Sequence, residues 1–245
     1  MTDLVKRTDD NGLCWLTLNR PDKLNALSVE LFQQLRGHIL DLYHDETARA
    51  IIIQGAGKCF SAGHDLADIA IGEAVPSPGW HSETLRLMEK LPKPVIAAVH
   101  SYCYTGALEL ALATDFIVAA DNARFADTHA KWALTPVWGM SQRLPRRVGA
   151  STAKRLMFTA ETIPAEEALR IKLAELILPA ESFQSDVESF ARQILEHSSF
   201  SHAANKRLLD ATESTRLDAG LQWEVMESEG TGPDMDERIS AFLKK

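Results

Sequence analysis

Between Pro94 and Ala120 the chain reads PVIAAVHSYCYTGALELALATDFIVAA, and this stretch sets most of what the rest can do. An apolar run, Pro94 to Val99, breaks at His100-Ser101; Thr105-Gly106 follows, then a small-residue helical pattern, then a second apolar run from Phe116 to Ala120. The one charged side chain inside the helical pattern is Glu109. A strand that delivers the chain to a glycine where a helix begins leaves backbone N–H groups without partners. A carboxylate one turn further in stands beside whatever those N–H groups hold. The layout is that of a site for a developing oxyanion next to a general base.

The chain is long enough, at 245 residues, to bury a full core as one large domain or as a core with a helical appendage. No apolar run approaches the roughly 18 to 20 residues of a membrane span. The first residues, MTDLVKRTDDNG, contain acids and no apolar core, so a signal peptide is not expected and cytoplasmic residence is. Cys14, Cys59 and Cys103 are too few and too scattered for a disulfide framework or a metal site; Cys103, near the proposed site, is expected to be a buried thiol rather than a nucleophile. A net charge of −8 argues against nucleic acid as a partner. Arg143, Arg146 and Arg147 remain candidates for a local phosphate pocket.

Leu13 to Leu18 reads as a strand, and Ser28 as the cap of a helix with Leu31, Phe32, Leu35, Ile39 and Leu42 on one face. Ala50 to Ile53 is a short buried strand feeding the loop QGAGKCFSAGHDL. Three familiar motifs fail there by register. A P-loop needs glycine at Ile52, a dinucleotide fingerprint needs one at Phe60, and a nucleophile elbow around Ser61 needs one at Cys59. Ala67 to Gly79 shows no period and reads as a mobile loop or surface connection beside the site. Leu176 to Leu178 is the last strand; beyond Glu181 the pattern is helical, which divides the chain into a β-containing core, 1–180, and a helical region, 181–245.

An ordered set of pieces resembles the crotonase, or enoyl-CoA hydratase/isomerase, superfamily over nearly the whole chain. They are Asn19-Arg20-Pro21 with Asn25-Ala26-Leu27, then Phe60 to Leu66, Lys93 to Val99 and Gly106 to Asp115, followed by Pro136, Gln142 to Arg146 with Val148-Gly149, Pro164 to Ala168, and Ile239 to Phe242. The resemblance implies an α/β fold, a crotonase-like spiral of ββα units, with a C-terminal α-helical region that supports homotrimers or hexamers made as dimers of trimers. It implies an acyl-CoA thioester as substrate, with no metal and no other cofactor. It maps an oxyanion hole of two backbone N–H groups onto Ala62 and Gly106, and a CoA groove onto Lys23, Leu24, Ala26, Asp65 and Leu66. Lys23 reads equally as a solvated surface lysine; Phe242 with Lys244 and Lys245 reads either as approaching a neighbouring subunit's nucleotide or as closing the last helix.

The departures carry as much information. Two-carboxylate hydratases of the family place one glutamate in the glycine-rich helix, here Glu109, and another in the following strand–turn, where this chain has His129. The glycine run is also reduced, with Thr105 and Ala107 flanking Gly106. Glu109 is expected to act as base, the other reading being a buried hydrogen-bonded partner without chemistry; His129 either holds the water or supplies the proton, or only fills the pocket and satisfies a hydrogen bond. Asp127 is another nearby carboxylate that would share His129's face on strand alternation, with a structural salt bridge as its simpler role. Hydration of an enoyl-CoA is the expected reaction. Double-bond isomerisation, acyl-CoA hydrolysis, or a non-catalytic acyl-CoA-binding subunit are the alternatives.

Overall fold

The computed structural model describes residues 3–212 and 214–244. Its main sheet starts with an antiparallel pair, β1 (Val5–Asp10) and β2 (Leu13–Leu18). Ser28 then caps α1 (Val29–His44), its hydroxyl accepting the Leu31 N–H at 3.3 Å as expected of a serine at that position. The chain returns through β3 (Ala50–Gly55), then α2 (Leu66–Ile71) and α3 (Trp80–Glu89), to β4 (Val95–Val99). Two ββα units follow. In the first, β4 turns into β5 (Tyr102–Tyr104) and α4 (Gly106–Leu112); in the second, β6 (Phe116–Ala120) turns into β7 (Arg124–Ala126) and leads to α5 (Met140–Val148). Then come α6 (Ala150–Thr159), β8 (Ile163–Pro164), α7 (Ala165–Arg170) and β9 (Leu176–Leu178).

Stacking of successive units makes two layers. The large sheet runs β1-β2-β3-β4-β6-β9, parallel from β2 onward, and the small one runs β5-β7-β8. An isolated bridge between Ser61 and Cys103 extends the small layer back to the loop after β3. This is the spiral of ββα units that the family resemblance implies.

The strands of the large sheet are apolar at nearly every position because both faces are covered. Side chains alternate: Leu16, Ile51, Ile53, Val95, Ala97 and Ile117 join the core under α1, α3 and α4. Leu13, Trp15, Ile52, Ile96, Ala98 and Val118 point to the other face. That second face is covered by α8 (Phe183–Leu195) through Val187 and Ala191, so the first helix beyond residue 181 packs on the sheet. Three more helices, α9 (Ser199–Ala211), α10 (Leu217–Met226) and α11 (Met235–Leu243), have no buried residue, and Leu217, Val225 and Phe242 stand more than three-quarters exposed. Lys245 lies outside the described residues. Among those residues no helix is long and apolar enough to cross a membrane.

Candidate active site

The site forms where β5 gives way to α4. Thr105, the residue before the helix, holds φ 51° and ψ −109°, a combination that β-branched residues rarely adopt. Three contacts hold it there. Its N–H donates to the Ala126 carbonyl at 2.8 Å, its hydroxyl oxygen lies 2.5 Å from that of Thr128, and it accepts the Thr128 N–H at 3.1 Å. The turn presents the Gly106 N–H, the first donor of α4 and without an acceptor among the described residues. Gly106 has to be glycine: a Cβ there would lie 2.6 Å from the Trp138 ring and 3.1 Å from the His64 nitrogen. Gly63, at φ +104°, lets the neighbouring segment run equally close, for a Cβ on it would meet the Tyr104 carbonyl at 2.5 Å.

The Ala62 N–H, expected as the second donor, is not open. The Ala62 N–H donates to the Leu24 carbonyl at 2.9 Å and is therefore already committed. Two residues on, Leu27 donates its N–H to Gly63 and accepts from Asp65, so its bonds straddle His64 and leave the His64 N–H open beside Gly106. Ala62 lines the cavity all the same.

Glu109 follows one turn into α4 and is 2% exposed. Its Oε1 accepts the backbone N–H groups of Trp138 and Met140 at 3.0 and 2.9 Å, which leaves Oε2 as the free oxygen. Facing it, 3.8 Å away, is Nε2 of His129. His129 opens a short 3-10 turn, His129–Trp132, just past the end of β7. Its Nδ1 and its backbone N–H both lie on Oδ1 of buried Asp127, at 2.5 and 3.2 Å. Asp127 and His129 therefore share a face, brought there by this turn rather than by strand alternation, and bond to each other.

Burial holds the Glu109 carboxyl above the ordinary carboxylate range, against the opposing pull of the Met140 N–H, the His129 imidazole and the Trp138 N–H. A carboxyl that binds its proton more tightly when folded costs stability as pH rises through its folded pKa, since the folded state then holds more protons than the unfolded one. Glu109→Gln should accordingly melt above wild type at pH 8, and the gap should narrow as pH falls towards 4.5, the ordinary value for this group; thermal melts at the two pH values check this.

Above these groups lies a cavity of about 500 Å³, walled by Leu66, Ile69, Tyr104, Trp132, Leu134 and Trp138. The His64 ring lies tilted against Trp138, with centroids 4.4 Å apart, and its Nε2 pairs with Glu73 at the cavity edge. Ala67 to Gly79 is not wholly a loop: Asp65 accepts the Ala67 N–H at 3.0 Å and caps α2, whose Leu66 and Ile69 face the cavity.

Of the five expected groove residues only Leu66 lines this cavity. Asp65 also takes Arg20 at 2.9 Å, Leu24 and Ala26 offer their carbonyls to Ala62 and Arg20, and Lys23 is exposed on a short 3-10 turn. Arg143 and Arg147 are engaged by Glu89 and Glu175, and Cys103 is a fully buried thiol whose pKa burial pushes up. Sequence reasoning missed the His64 N–H, the two N–H groups on Glu109 and the His64–Glu73 pair. The Gly139 turn between Trp138 and Met140 was the available signal for the second of these.

A family model described as enoyl-CoA hydratase/isomerase matches residues 8–245. The chain belongs to this family. Among enoyl-CoA hydratase/isomerase relatives it is 33% identical to the crotonyl-CoA hydratase of Syntrophomonas wolfei, over 96% of this chain and 93% of that protein. It is 30% identical to the 1,2-epoxyphenylacetyl-CoA isomerase of Escherichia coli, over 100% and 97%. The crystal structure of an enoyl-CoA hydratase from Bacillus anthracis superposes with a TM-score of 0.92 at 29% identity, over 98% of this chain and 96% of that one. The match makes the chain an enzyme of this family with the crotonase fold.

Proposed function

We propose that this enzyme adds water across the 2,3 double bond of an enoyl-CoA thioester. One observation carries the reading: Glu109 Oε2 and His129 Nε2 face each other across 3.8 Å beside the two open N–H groups. The thioester oxygen takes the N–H groups of His64 and Gly106, which draws electron density from C3. Glu109 removes a proton from water as the water oxygen bonds to C3, and the electron pair of the double bond moves onto the carbonyl as an enolate. C2 then takes a proton from His129 Nε2 as the enolate collapses. Glu109 ends protonated and His129 neutral, and the short gap between them lets the proton return directly or through one water.

The similarity to a crotonyl-CoA hydratase favours hydration. Likeness to an isomerase, with a histidine rather than a second glutamate facing Glu109, favours the alternative in which Glu109 moves a proton between carbons. Lys23, exposed beside Leu24 and Ala26, is placed at the CoA phosphates, and no cofactor is assigned beyond the thioester. The exposed apolar side chains of α10 and α11 suit burial against further copies, so the 181–245 region is assigned to a homotrimer or hexamer. Acidic charge disfavours nucleic acid, and residence is assigned to the cytoplasm.

Crotonyl-CoA hydration assayed beside 3-enoyl-CoA isomerisation tests this. Wild type should hydrate, and His129→Ala should lose about 10²-fold in kcat with its thioester affinity kept. Full hydratase activity in His129→Ala removes the proton-donor role; a wild type that binds thioesters and turns over neither substrate removes the reaction.

A further inference from the structure

The hydratase reading needs His129 to present Nε2, and not Nδ1, to Glu109, and the imidazole ring alone has no preference strong enough to ensure it. Asp127 supplies one. It is 1% exposed, and its Oδ1 meets His129 twice, at the ring Nδ1 and at the backbone N–H. A buried carboxylate without Arg or Lys is expensive, and an apolar side chain would fill the space at less cost. An ionised carboxylate only accepts, so a nitrogen 2.5 Å from it carries the hydrogen. The backbone N–H of His129 on the same oxygen pins the carboxylate itself. On the other side of the gap Glu109 is pinned in the same manner by Trp138 and Met140. Each partner thus has one face tied to fixed hydrogen bonds and one atom free, and the two free atoms meet.

We propose that Asp127 is the positioning residue of this site, holding the proton of the neutral His129 ring on Nδ1 so that Nε2 exchanges protons with substrate and with Glu109. The proposal rests on the hydratase reading for its reaction, but its structural half stands alone. The logic is that of a carboxylate which sets the tautomer of a catalytic imidazole without itself reacting.

The 245-residue chain, labelled with ¹⁵N-histidine and with His129 assigned by difference from His129→Gln, reports the tautomer directly. The neutral ring should be protonated on Nδ1 in wild type, and Asp127→Asn should shift the population towards protonation on Nε2. In the same variant kcat for crotonyl-CoA hydration should fall about 10²-fold while KM stays within about twofold. In a His129→Gln background Asp127→Asn should cost nothing further, because the residue acts through the ring. A wild-type neutral ring protonated on Nε2 overturns the proposal, and that measurement needs no variant to fold. Losses that multiply in the double variant overturn it as well, since they would make Asp127 a residue of the fold. Failure of the hydratase reading is seen elsewhere, as a wild type that binds acyl-CoA thioesters and does not hydrate crotonyl-CoA, whatever the tautomer of His129.

Discussion

Glu109→Gln is expected to keep the fold, keep the thioester and lose turnover by about 10²–10⁴-fold, the span that a positioned general base contributes. That corresponds to about 3–5 kcal/mol of barrier. The substitution is nearly isosteric, and the amide oxygen still accepts the N–H groups of Trp138 and Met140, so the anchoring of the side chain survives. Only the free atom changes. Oε2, which faces His129 Nε2 at 3.8 Å, becomes an NH₂ group that donates and takes no proton. The measurement is kcat for crotonyl-CoA hydration together with the calorimetric affinity for a non-reactive acyl-CoA. A fall in kcat with unchanged affinity locates Glu109 in the chemical step. A weakened affinity with kcat intact would make it a binding residue and end its role as base.

The same residue shows what the chain discloses before it folds. Glu109 stands out as the one acid in an apolar, small-residue helix, because burying a carboxylate is costly and must be offset by something specific. The strands are equally legible. Ile51 to Ile53 and Val95 to Val99 are apolar at every position, and the structure shows why: their alternate side chains fill two cores, one on each face of the sheet. What stays hidden depends on contacts distant along the chain. Whether Ala62 or His64 has the open N–H is decided by how Leu24 and Leu27 pair with that segment nearly forty residues later. A slip of two residues in this pairing would exchange their roles, and neither side chain reports it.

Asp127 and His129 illustrate a second limit. Alternation along a strand puts both on one face, which is the right outcome by the wrong route. The strand ends at Ala126, and the carboxylate reaches the ring because the chain tightens into a 3-10 turn at His129. The α2 helix is a third case. Six residues, Leu66 to Ile71, are too few to show a helical period, and the capping carboxylate of Asp65 also serves Arg20. In each case the local residues permit the observed geometry and the tertiary partner selects it.

Gly106→Ala separates these levels in one experiment. Alanine is the better helix former by up to about 1 kcal/mol, so secondary-structure preference alone would favour the change. The site opposes it. The new methyl would stand 2.6 Å from the Trp138 ring and 3.1 Å from the His64 nitrogen, inside the pair of N–H groups assigned to the thioester oxygen. Either the methyl keeps the oxygen out or Trp138 moves, and Trp138 carries one of the two N–H groups that hold Glu109. Both routes damage the transition state more than the fold, and the loss in kcat should be on the order of 10²–10³-fold, the usual effect of disabling one donor of an oxyanion hole. Difference Raman spectroscopy of a bound, carbonyl-labelled acyl-CoA adds an independent readout, since a polarised carbonyl shifts to lower frequency and should return towards its solution value in the variant. Retention of more than half the wild-type kcat with an unchanged carbonyl shift would mean that the charge develops elsewhere, and the N–H groups of His64 and Gly106 would lose their assigned role.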